Sequence, residues 1–389
     1  MIMFSNDIVK TEEMKIIFRV DASIEIGSGH LMRCLTLADS LHQRGCDVLF
    51  VCRELPGDLC RVVANRGYTV YRLPNRMLQV ANGSHDLKDT DRISDYWVED
   101  AFETKAILQS IERPVNYLIV DHYLLDKRWE EQMRAFVKKI MVIDDLANRP
   151  HDCNLLLDQN LYDNLDTRYN GLVPQYCRRL LGPQYFLLRP EFWEAREGLE
   201  RRDGSIRRVL VFLGGGDPTN ETVKALRAIR LLNLTDVSVD VVVGATNLQK
   251  QQVKRFCADT PNVSYHCQVE NMAQLMADAD LAIGAGGVTI WERCFLGLPS
   301  ITLVLAQNQV ETTAVAAAAG AIWNLGWAAD VEVEDLAEAI KRAIGNQDAM
   351  FEMGLAAARM MGNLTPEDKN ILVGAIMEGS CATSERVSP

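Results

Sequence analysis

Short apolar runs alternate with amphipathic segments along almost the whole chain. In the first half, the runs at Lys15–Val20, 47–52 and 117–120 predict buried strands. Between the first two, residues 30–44 carry leucine and alanine three or four positions apart, which predicts a helix with one buried face. The same reasoning predicts further strands at 68–73, 139–143 and 154–157, and helices over 59–66, 96–112 and 128–137. Strands that alternate with helices favour a parallel sheet covered by helices.

The pattern restarts after a charged stretch, residues 194–208, which we interpret as a linker between two domains. Asp217 and Pro218 follow the first apolar run of the second half and predict the N-cap and the first residue of a helix. Predicted strands of this half are 209–213, 237–243, 263–265, 281–283 and 300–305, and three helical segments, 332–345, 348–361 and 366–378, close the chain.

These segments divide the chain into two domains. A chain of 389 residues is too long for one ordinary core and has the right length for two α/β domains. We predict an α/β fold of two doubly wound parallel-sheet domains that face each other across a cleft, with ligand at the carboxyl ends of the strands. The predicted parts are an extension (1–14), a first domain (15–193), the linker (194–208), a second domain (209–365) and a C-terminal helix and tail (366–389).

Composition and charge narrow the class of partner. The net charge of −12 argues against nucleic-acid binding, because nonspecific binding of that kind needs a basic surface. The ten cysteines form no Cys-x-x-Cys pair, so we expect reduced thiols that pack as small apolar groups. The chain shows neither the plan of a signal peptide nor an apolar run of transmembrane length. We therefore expect a cytoplasmic protein without membrane insertion.

Two glycine-rich turns, Gly27-Ser28-Gly29-His30 and Gly284-Ala285-Gly286-Gly287, each follow an apolar strand and open a helix. Such a turn lets backbone approach a ligand and points free N–H groups at an anion.

His30 adds an imidazole to the first of these turns. Imidazole titrates near neutral pH and suits a general base, although a lone histidine is more often a packed or capping residue. Because His30 follows two glycines in a turn where exposure is expected, we favour a functional role over packing or capping. Arg33 lies one turn further on and can pair with phosphate or with Asp21, or remain a solvated cation.

Acidic residues follow two predicted strands of the first half. Asp121-His122-Tyr123 lies where α/β folds place groups that face the ligand. Asp144-Asp145 follows the next strand and suggests a metal site, paired carboxylates, or a helix N-cap or hydrogen-bonded turn. We favour the N-cap or the turn, because no histidine or glutamate at ligand spacing completes a metal site.

The second half offers candidates for a nucleotide and a sugar. Thr289 can cap the helix after the second glycine turn, and Glu292 can accept hydrogen bonds from the two ribose hydroxyls. A polar segment follows the predicted strand 300–305 and suits sugar hydroxyls, although a plain polar loop explains it equally well: Gln307, Asn308 and Gln309.

Taken together, these motifs resemble a known family over residues 15–361. They occur in this order: Arg19-Val-Asp-Ala-Ser, Gly27-x-Gly29-His30-x-x-Arg33-Cys34, Asp121-His122-Tyr123, Gly214-Gly-Gly-Asp-Pro, Gly284-Ala-Gly-Gly-x-Thr289-x-x-Glu292 and Gln307-Asn308-Gln309. The sequence is similar to the UDP-2,4-diacetamido-2,4,6-trideoxy-β-L-altropyranose hydrolases of pseudaminic (nonulosonic) acid biosynthesis. That family has the GT-B fold and is related to the glycosyltransferase of peptidoglycan lipid II synthesis.

The resemblance implies roles for particular residues. The catalytic residues would be His30, as the base, and Tyr123, which would lie near the sugar. Glu292 would bind ribose and Asn308 would contact the sugar nucleotide. The start of the helix at 286–289 would hold the diphosphate. The full set of predicted substrate-binding residues is Asp21, Gly29, Arg33, Asp121, Gly215, Gly286, Gly287, Thr289, Glu292, Gln307, Asn308 and Gln309.

The resemblance also implies a reaction. Water would attack the anomeric carbon of a UDP-linked sugar while His30 removes its proton, and UDP would leave with inversion, without a metal or another cofactor. A GT-B glycosyltransferase and a UDP-sugar 2-epimerase are the alternatives, since both would use the same donor site. A further alternative is a non-catalytic UDP-sugar sensor, in which His30 would have no chemical role.

Overall fold

The computed structural model describes residues 14–23, 26–75, 90–111, 114–199, 202–362 and 364–381. Within them, the first sheet has seven parallel strands in the order β3-β2-β1-β4-β5-β6-β7. These strands are β1 (Lys15–Val20), β2 (Asp47–Arg53), β3 (Thr69–Leu73), β4 (Val115–Asp121), β5 (Val137–Ile143), β6 (Leu155–Asp158) and β7 (Arg178–Leu181). Helices cover the sheet: α1 (Gly29–His42), α2 (Cys60–Asn65), α3 (Thr90–Ser110) and α4 (Lys127–Met133).

In the described part of the second half, six parallel strands form a separate sheet in the order β10-β9-β8-β11-β12-β13. They are β8 (Arg208–Phe212), β9 (Ser238–Val243), β10 (Val263–Cys267), β11 (Leu281–Ala285), β12 (Ser300–Val304) and β13 (Trp323–Trp327). The helices that follow α5 (Pro190–Glu197) are α6 (Glu221–Leu232), α7 (Lys250–Ala258), α8 (Met272–Asp278), α9 (Thr289–Phe295), α10 (Val310–Ala318), α11 (Val333–Ile344), α12 (Gln347–Met360) and α13 (Ile371–Cys381). Two doubly wound parallel-sheet domains are therefore confirmed.

Two strands were not predicted, and both lie at the edge of a sheet. β7 begins with two exposed arginines, and β13 contains asparagine and glycine. An edge strand pairs on one side only and is less deeply buried, so it does not need the apolar run that reveals a central strand.

The chain crosses between the domains earlier than the linker prediction places it. Leu187 packs against the core of the first domain, whereas Leu188 belongs to a core cluster of the second. α5 follows and buries Phe192 and Trp193 in that same cluster. The first residues of the predicted linker are thus helical. Their charged side chains form the outer face of a packed helix, which explains why the sequence resembles a linker.

One helix start also differs from its prediction. α6 begins at Glu221 rather than at Pro218. The N-cap position belongs to Asn220 and not to Asp217 as predicted, yet the carboxylate of Asp217 accepts the backbone N–H groups of Glu221 and Thr222, each at 2.9 Å. A left-handed backbone at Asn220 separates Asp217 from the first turn of the helix.

The register of the first sheet brings the candidate residues to one edge. Val20 pairs with Asp121 across β1 and β4, and Val120 pairs with Val142 across β4 and β5. The carboxyl ends of these three central strands therefore lie side by side, as a doubly wound sheet requires for a ligand crevice. Among the described helices, none is both long and apolar enough to cross a membrane.

Candidate active site

His30 is the second residue of α1 and lies beside the end of β4. Its Nδ1 atom is 2.9 Å from Oδ1 of Asp121, and its side chain is 12% exposed. With Nδ1–H donating to the carboxylate, Nε2 carries the lone pair and can accept a proton. The turn before it uses Gly27 in the left-handed region, at φ +81°. At Gly29, a Cβ atom would meet nothing within 4 Å, so packing inside the protein does not explain that glycine.

Asp121 is held from a second side by Arg33. The guanidinium donates from Nε to Oδ2 at 2.6 Å and from Nη2 to Oδ1 at 2.7 Å. Burial disfavours the charge on Asp121, yet Arg33 and His30 together keep its pKa well below the usual range. Arg33 also donates to Asp145 at 3.2 Å. The structure therefore pairs Arg33 with Asp121 and Asp145, not with Asp21 as one sequence alternative had it.

Tyr123 completes this group. Its ring stands edge-on to the imidazole of His30, with centroids 4.5 Å apart and planes at 87°. Burial and the hydrogen-bonded Asp145 carboxylate raise the pKa of Tyr123 well above its usual range. The phenol of Tyr123 therefore stays neutral. It contacts the imidazole of His30, the predicted base, and fixes the position of that ring.

Asp21 lies behind this group and is 1% exposed. Arg19 donates to both of its oxygens, at 2.6 and 2.9 Å, and the backbone N–H of Arg53 donates to Oδ1 at 2.7 Å. Such a saturated carboxylate is poorly placed to bind a sugar directly. The carboxylate of Asp21 therefore supports Arg19, His122 and the backbone of Arg53.

One of those neighbours is His122. The backbone N–H of Leu124 donates to Nδ1 at 3.1 Å, which assigns the ring proton to Nε2. Nε2–H then donates to Asp21 at 3.1 Å. The central residue of Asp121-His122-Tyr123 is thereby tied to the end of β1, and the two residues beside it are free to meet His30.

Sequence reasoning missed the charged network beneath this edge. Arg19 is fully buried and donates to Asp100 on α3 at 2.5 and 3.1 Å, and Arg53 donates to the same carboxylate at 2.7 Å. A signal was present, because Arg19 interrupts an otherwise apolar strand and a buried charge requires a partner. Its partner could not be read from the sequence, since Asp100 lies about eighty positions away.

Asp144 and Asp145 belong to separate interactions. Asp144 accepts the N–H of Ala147 at 2.9 Å and the hydroxyl of Tyr169 at 3.0 Å, and it lies 2.9 Å from Arg149. The hydrogen-bonded turn favoured from the sequence is therefore confirmed for Asp144. In the part of the chain that the structure describes, no three histidine, cysteine or acidic residues are grouped to hold a metal ion.

The second glycine turn lies between β11 and α9. A Cβ atom on Gly286 would come within 2.3 Å of Cγ2 of Thr313, so packing alone requires that glycine. Thr289 is the first residue of α9 and does not cap it, because the N-cap position belongs to Val288. The hydroxyl of Thr289 instead accepts from Nη1 of Arg293 at 3.3 Å.

Glu292 lies one turn into α9, with its side chain 13% exposed, and its Oε1 atom is 3.3 Å from Arg189. Burial raises the pKa of Glu292, and the nearby Arg189 opposes that rise. A carboxylate paired on one oxygen retains acceptor capacity for a ligand.

The remaining predicted residues of the second domain line neighbouring strand ends. Gln307 and Asn308 are exposed in a 3₁₀ turn, Gln307–Gln309, whereas the side chain of Gln309 accepts the N–H of Leu305 at 2.9 Å. Gly215 accepts the N–H of Gly244 at 3.0 Å, which brings the ends of β8 and β9 together.

Polar contacts join the two halves beside these groups. Nε1 of Trp291 in α9 donates to Asn160 at 2.8 Å, and Arg168 lies 3.2 Å from Glu311 in α10. Asn160 and Arg168 both belong to the connection between β6 and β7. The helices that follow the candidate nucleotide and sugar segments are thus in direct contact with the first domain.

Comparison with known proteins agrees with this architecture. Residues 209–364 match the family model for the glycosyltransferase family 28 C-terminal domain. The chain is 26% identical over 301 residues to the UDP-2,4-diacetamido-2,4,6-trideoxy-beta-L-altropyranose hydrolase of Campylobacter jejuni, over 77% of this chain and 94% of that protein. It is 24% identical over 307 residues to an uncharacterized protein of Methanocaldococcus jannaschii, over 77% of this chain and 57% of that protein. The chain thus spans little more than half the length of this archaeal relative.

Among solved structures, MurG of Acinetobacter baumannii superposes with a TM-score of 0.60 and 14% identity, over 94% of this chain and 99% of that chain. This likeness confirms the GT-B fold. The similarity to the hydrolase family that the motifs predicted is confirmed as well. Together the matches support an enzyme that processes nucleotide sugars.

Proposed function

We propose that this protein hydrolyses a UDP-linked diacetamido-trideoxyhexose at the anomeric carbon and releases UDP and the free sugar with inversion, as a step of nonulosonic (pseudaminic) acid biosynthesis. The observation that carries the proposal is the pair of His30 and Asp121, in which a carboxylate orients an imidazole whose Nε2 can accept a proton. The match to the hydrolase supports it, because it extends over 94% of that protein.

The proposed reaction uses His30 as a general base. Water lies between Nε2 and the anomeric carbon, and its oxygen forms the new bond to that carbon as its proton moves to Nε2. The bond from the anomeric carbon to the diphosphate oxygen breaks, and UDP leaves with the electron pair. Asp121 stabilises the imidazolium that forms. A single displacement of this kind inverts the anomeric configuration.

The start of α1 supports the same arrangement. The first N–H groups of a helix have no partner within the helix and favour negative charge. Gly29 leaves open space beside them, which allows a ligand to approach the backbone closely.

We place the nucleotide at the second domain. The segment that contains Gly286, Gly287 and Glu292 lies within the region matched by the glycosyltransferase family 28 model. The backbone of the glycine turn would hold the diphosphate, and the carboxylate of Glu292 would accept the ribose hydroxyls. Gln307 and Asn308, which are exposed on the next strand end, would contact the sugar.

Glu292→Ala tests the nucleotide site. Loss of a hydrogen bond to a charged group costs about 1.5–3 kcal/mol, so we expect UDP to bind roughly 10- to 150-fold more weakly. Isothermal titration calorimetry measures this directly, and Glu352→Ala, at an exposed position of α12, is the matched control. Unchanged UDP affinity in the Glu292 variant would remove that carboxylate from the site.

The family 28 domain favours a second candidate, a glycosyltransferase that uses the same donor. The two are separated by incubation with candidate UDP-sugars and no acceptor, followed by NMR. A hydrolase releases UDP and a free sugar whose first-formed anomer is inverted, whereas a transferase leaves the donor intact. An epimerase instead yields a UDP-sugar of changed configuration. A panel of donors that differ in their acetamido groups would identify the sugar.

A further inference from the structure

Arg168 is a cation held rigidly at the edge that carries His30. Its guanidinium lies over the ring of Tyr162, with its central carbon 3.4 Å from the ring centroid. Nη2 donates to the backbone carbonyl of Asp145 at 3.1 Å, and Nε is 3.3 Å from Asp158. The side chain is 9% exposed. Stacking together with these contacts orients the fork of N–H donors before any ligand arrives.

The contact of Arg168 with the second domain is of a different kind. Nη1 lies 3.2 Å from Oε2 of Glu311, a side chain that is 69% exposed. Glu311 is the second residue of α10, the helix that follows directly on the turn Gln307–Gln309. An ion pair with so exposed a partner contributes little stability, so another anion can replace the carboxylate at small cost.

Two neighbouring guanidinium groups of this edge are bound by buried carboxylates on more than one side. Arg33 is bound by Asp121 and Asp145, and Arg19 is bound by Asp21 and Asp100. Arg168 shares Asp145 with Arg33, since one binds its backbone carbonyl and the other its side chain. Arg168 also has a buried carboxylate partner, Asp158, but its Nη1 faces the exposed and displaceable carboxylate of Glu311.

We propose that Arg168 binds the diphosphate of the nucleotide sugar, and that Glu311 occupies its guanidinium until the phosphate oxygens take its place. The inference rests on the proposed function, because it assigns a further binding residue to the same ligand. The Nη1 group would donate a charge-assisted hydrogen bond to a phosphate oxygen, and the positive charge would stabilise the diphosphate as it leaves. Exchange of Glu311 for phosphate would also keep the two domains in contact through the ligand.

The two members of this ion pair should respond to mutation in opposite directions. For Arg168→Gln we expect UDP to bind about tenfold or more weakly, because a charge-assisted hydrogen bond is lost. For Glu311→Gln we expect UDP to bind about two- to fivefold more tightly, because the competing carboxylate is gone. Uridine, which lacks phosphate, should bind both variants as it binds the wild type.

Calorimetry with UDP and uridine provides the measurement, and Arg179→Gln is the matched control. Arg179 is an exposed residue of β7 that hydrogen-bonds to Asn170 of the same domain. Thermal unfolding shows whether each variant is folded. If Arg168→Gln does not fold, Arg168→Lys retains the charge without the fork, and the tighter binding expected of Glu311→Gln still tests the exchange.

Equal weakening by both variants would show that the ion pair is merely structural and would overturn the proposal. Unchanged UDP affinity in both, or an equal loss for uridine, would overturn it too. These results differ from a failure of the proposed function, in which wild-type protein would bind neither UDP nor a UDP-sugar.

Discussion

Asp158 is a buried carboxyl group of the first domain whose pKa is shifted by its surroundings. It ends β6 and is fully buried, and the hydroxyl oxygen of Tyr169 lies 2.9 Å from its Oδ2 atom. Burial and the nearby Asp145 carboxylate raise the pKa of Asp158 to about 7, although Arg168 opposes the rise. The folded protein therefore binds a proton at Asp158 in a pH range where the unfolded chain does not.

The difference between the folded and unfolded pKa of Asp158 determines whether stability rises or falls with pH. Between the unfolded pKa of about 3.9 and the folded value, the native state holds more protons, so the free energy of unfolding falls as pH rises. From pH 5.5 to 7.5 the decline due to this group is about 2 kcal/mol. Asp158→Asn removes the group, and urea unfolding at both values should show a decline smaller by that amount. An unchanged slope would mean that Asp158 is ionised in the folded protein.

At the scale of single residues, the sequence predicts where a side chain lies in the fold better than it predicts which side chains it contacts. The places of His30 and Tyr123 could be predicted, because each follows a strand in a doubly wound fold. The partner of Arg33 could not, since Asp121 and Asp145 reach it only when three strands end side by side. Asp21 was predicted to bind substrate, yet Arg19 donates to both of its carboxylate oxygens.

Among the elements, the central strands were predictable because both of their faces are buried and their sequences are continuously apolar. β1 has the predicted bounds, Lys15–Val20. The edge strands β7 and β13 escaped prediction because exposure removes that signal. The end of β9 was not predicted to take part in the site, because no sequence motif contains Gly244. In the structure, the N–H of Gly244 donates to the carbonyl of Gly215 at 3.0 Å.

Gly244→Ala tests this close approach of two strand ends. A Cβ atom there would lie 2.5 Å from the carbonyl oxygen of Gly215, and backbone cannot move aside as a flexible side chain can. We expect the free energy of unfolding of the second domain to fall by about 1–3 kcal/mol, as for overpacking elsewhere. Gly216→Ala is the matched control, because its Cβ atom would meet nothing within 4 Å. Equal stability of the two variants in urea unfolding would contradict the close contact.

For the whole molecule, the C-terminal helix changes the division into domains. α13 follows the second domain in sequence, yet Leu372, Val373, Ala375 and Ile376 are buried in the core cluster of the first. The chain thus crosses between the domains near Leu188 and returns with α13. Sequence periodicity predicts that such a helix exists but does not say which of two apolar surfaces it covers.

Ile376→Ala tests this return. Ile376 is fully buried, and truncation of such a side chain costs about 2–5 kcal/mol. We expect amide hydrogen exchange to accelerate in β1 and β4 while β8 and β11 keep their protection. Ile371→Ala, at a 40% exposed position of the same helix, should change little. Faster exchange confined to the second sheet would place α13 on the other domain.

The central claim is that His30, oriented by Asp121, removes a proton from water in the hydrolysis of a UDP-sugar. His30→Asn can still donate a hydrogen bond to Asp121 but cannot take up a proton, and His42→Asn at the exposed end of the same helix is the matched control. Turnover of the UDP-sugar is measured by UDP release, together with UDP affinity by calorimetry. We predict that kcat falls about 10²- to 10⁴-fold in His30→Asn with UDP affinity unchanged, while His42→Asn behaves as wild type. Near-normal kcat in His30→Asn would contradict the account.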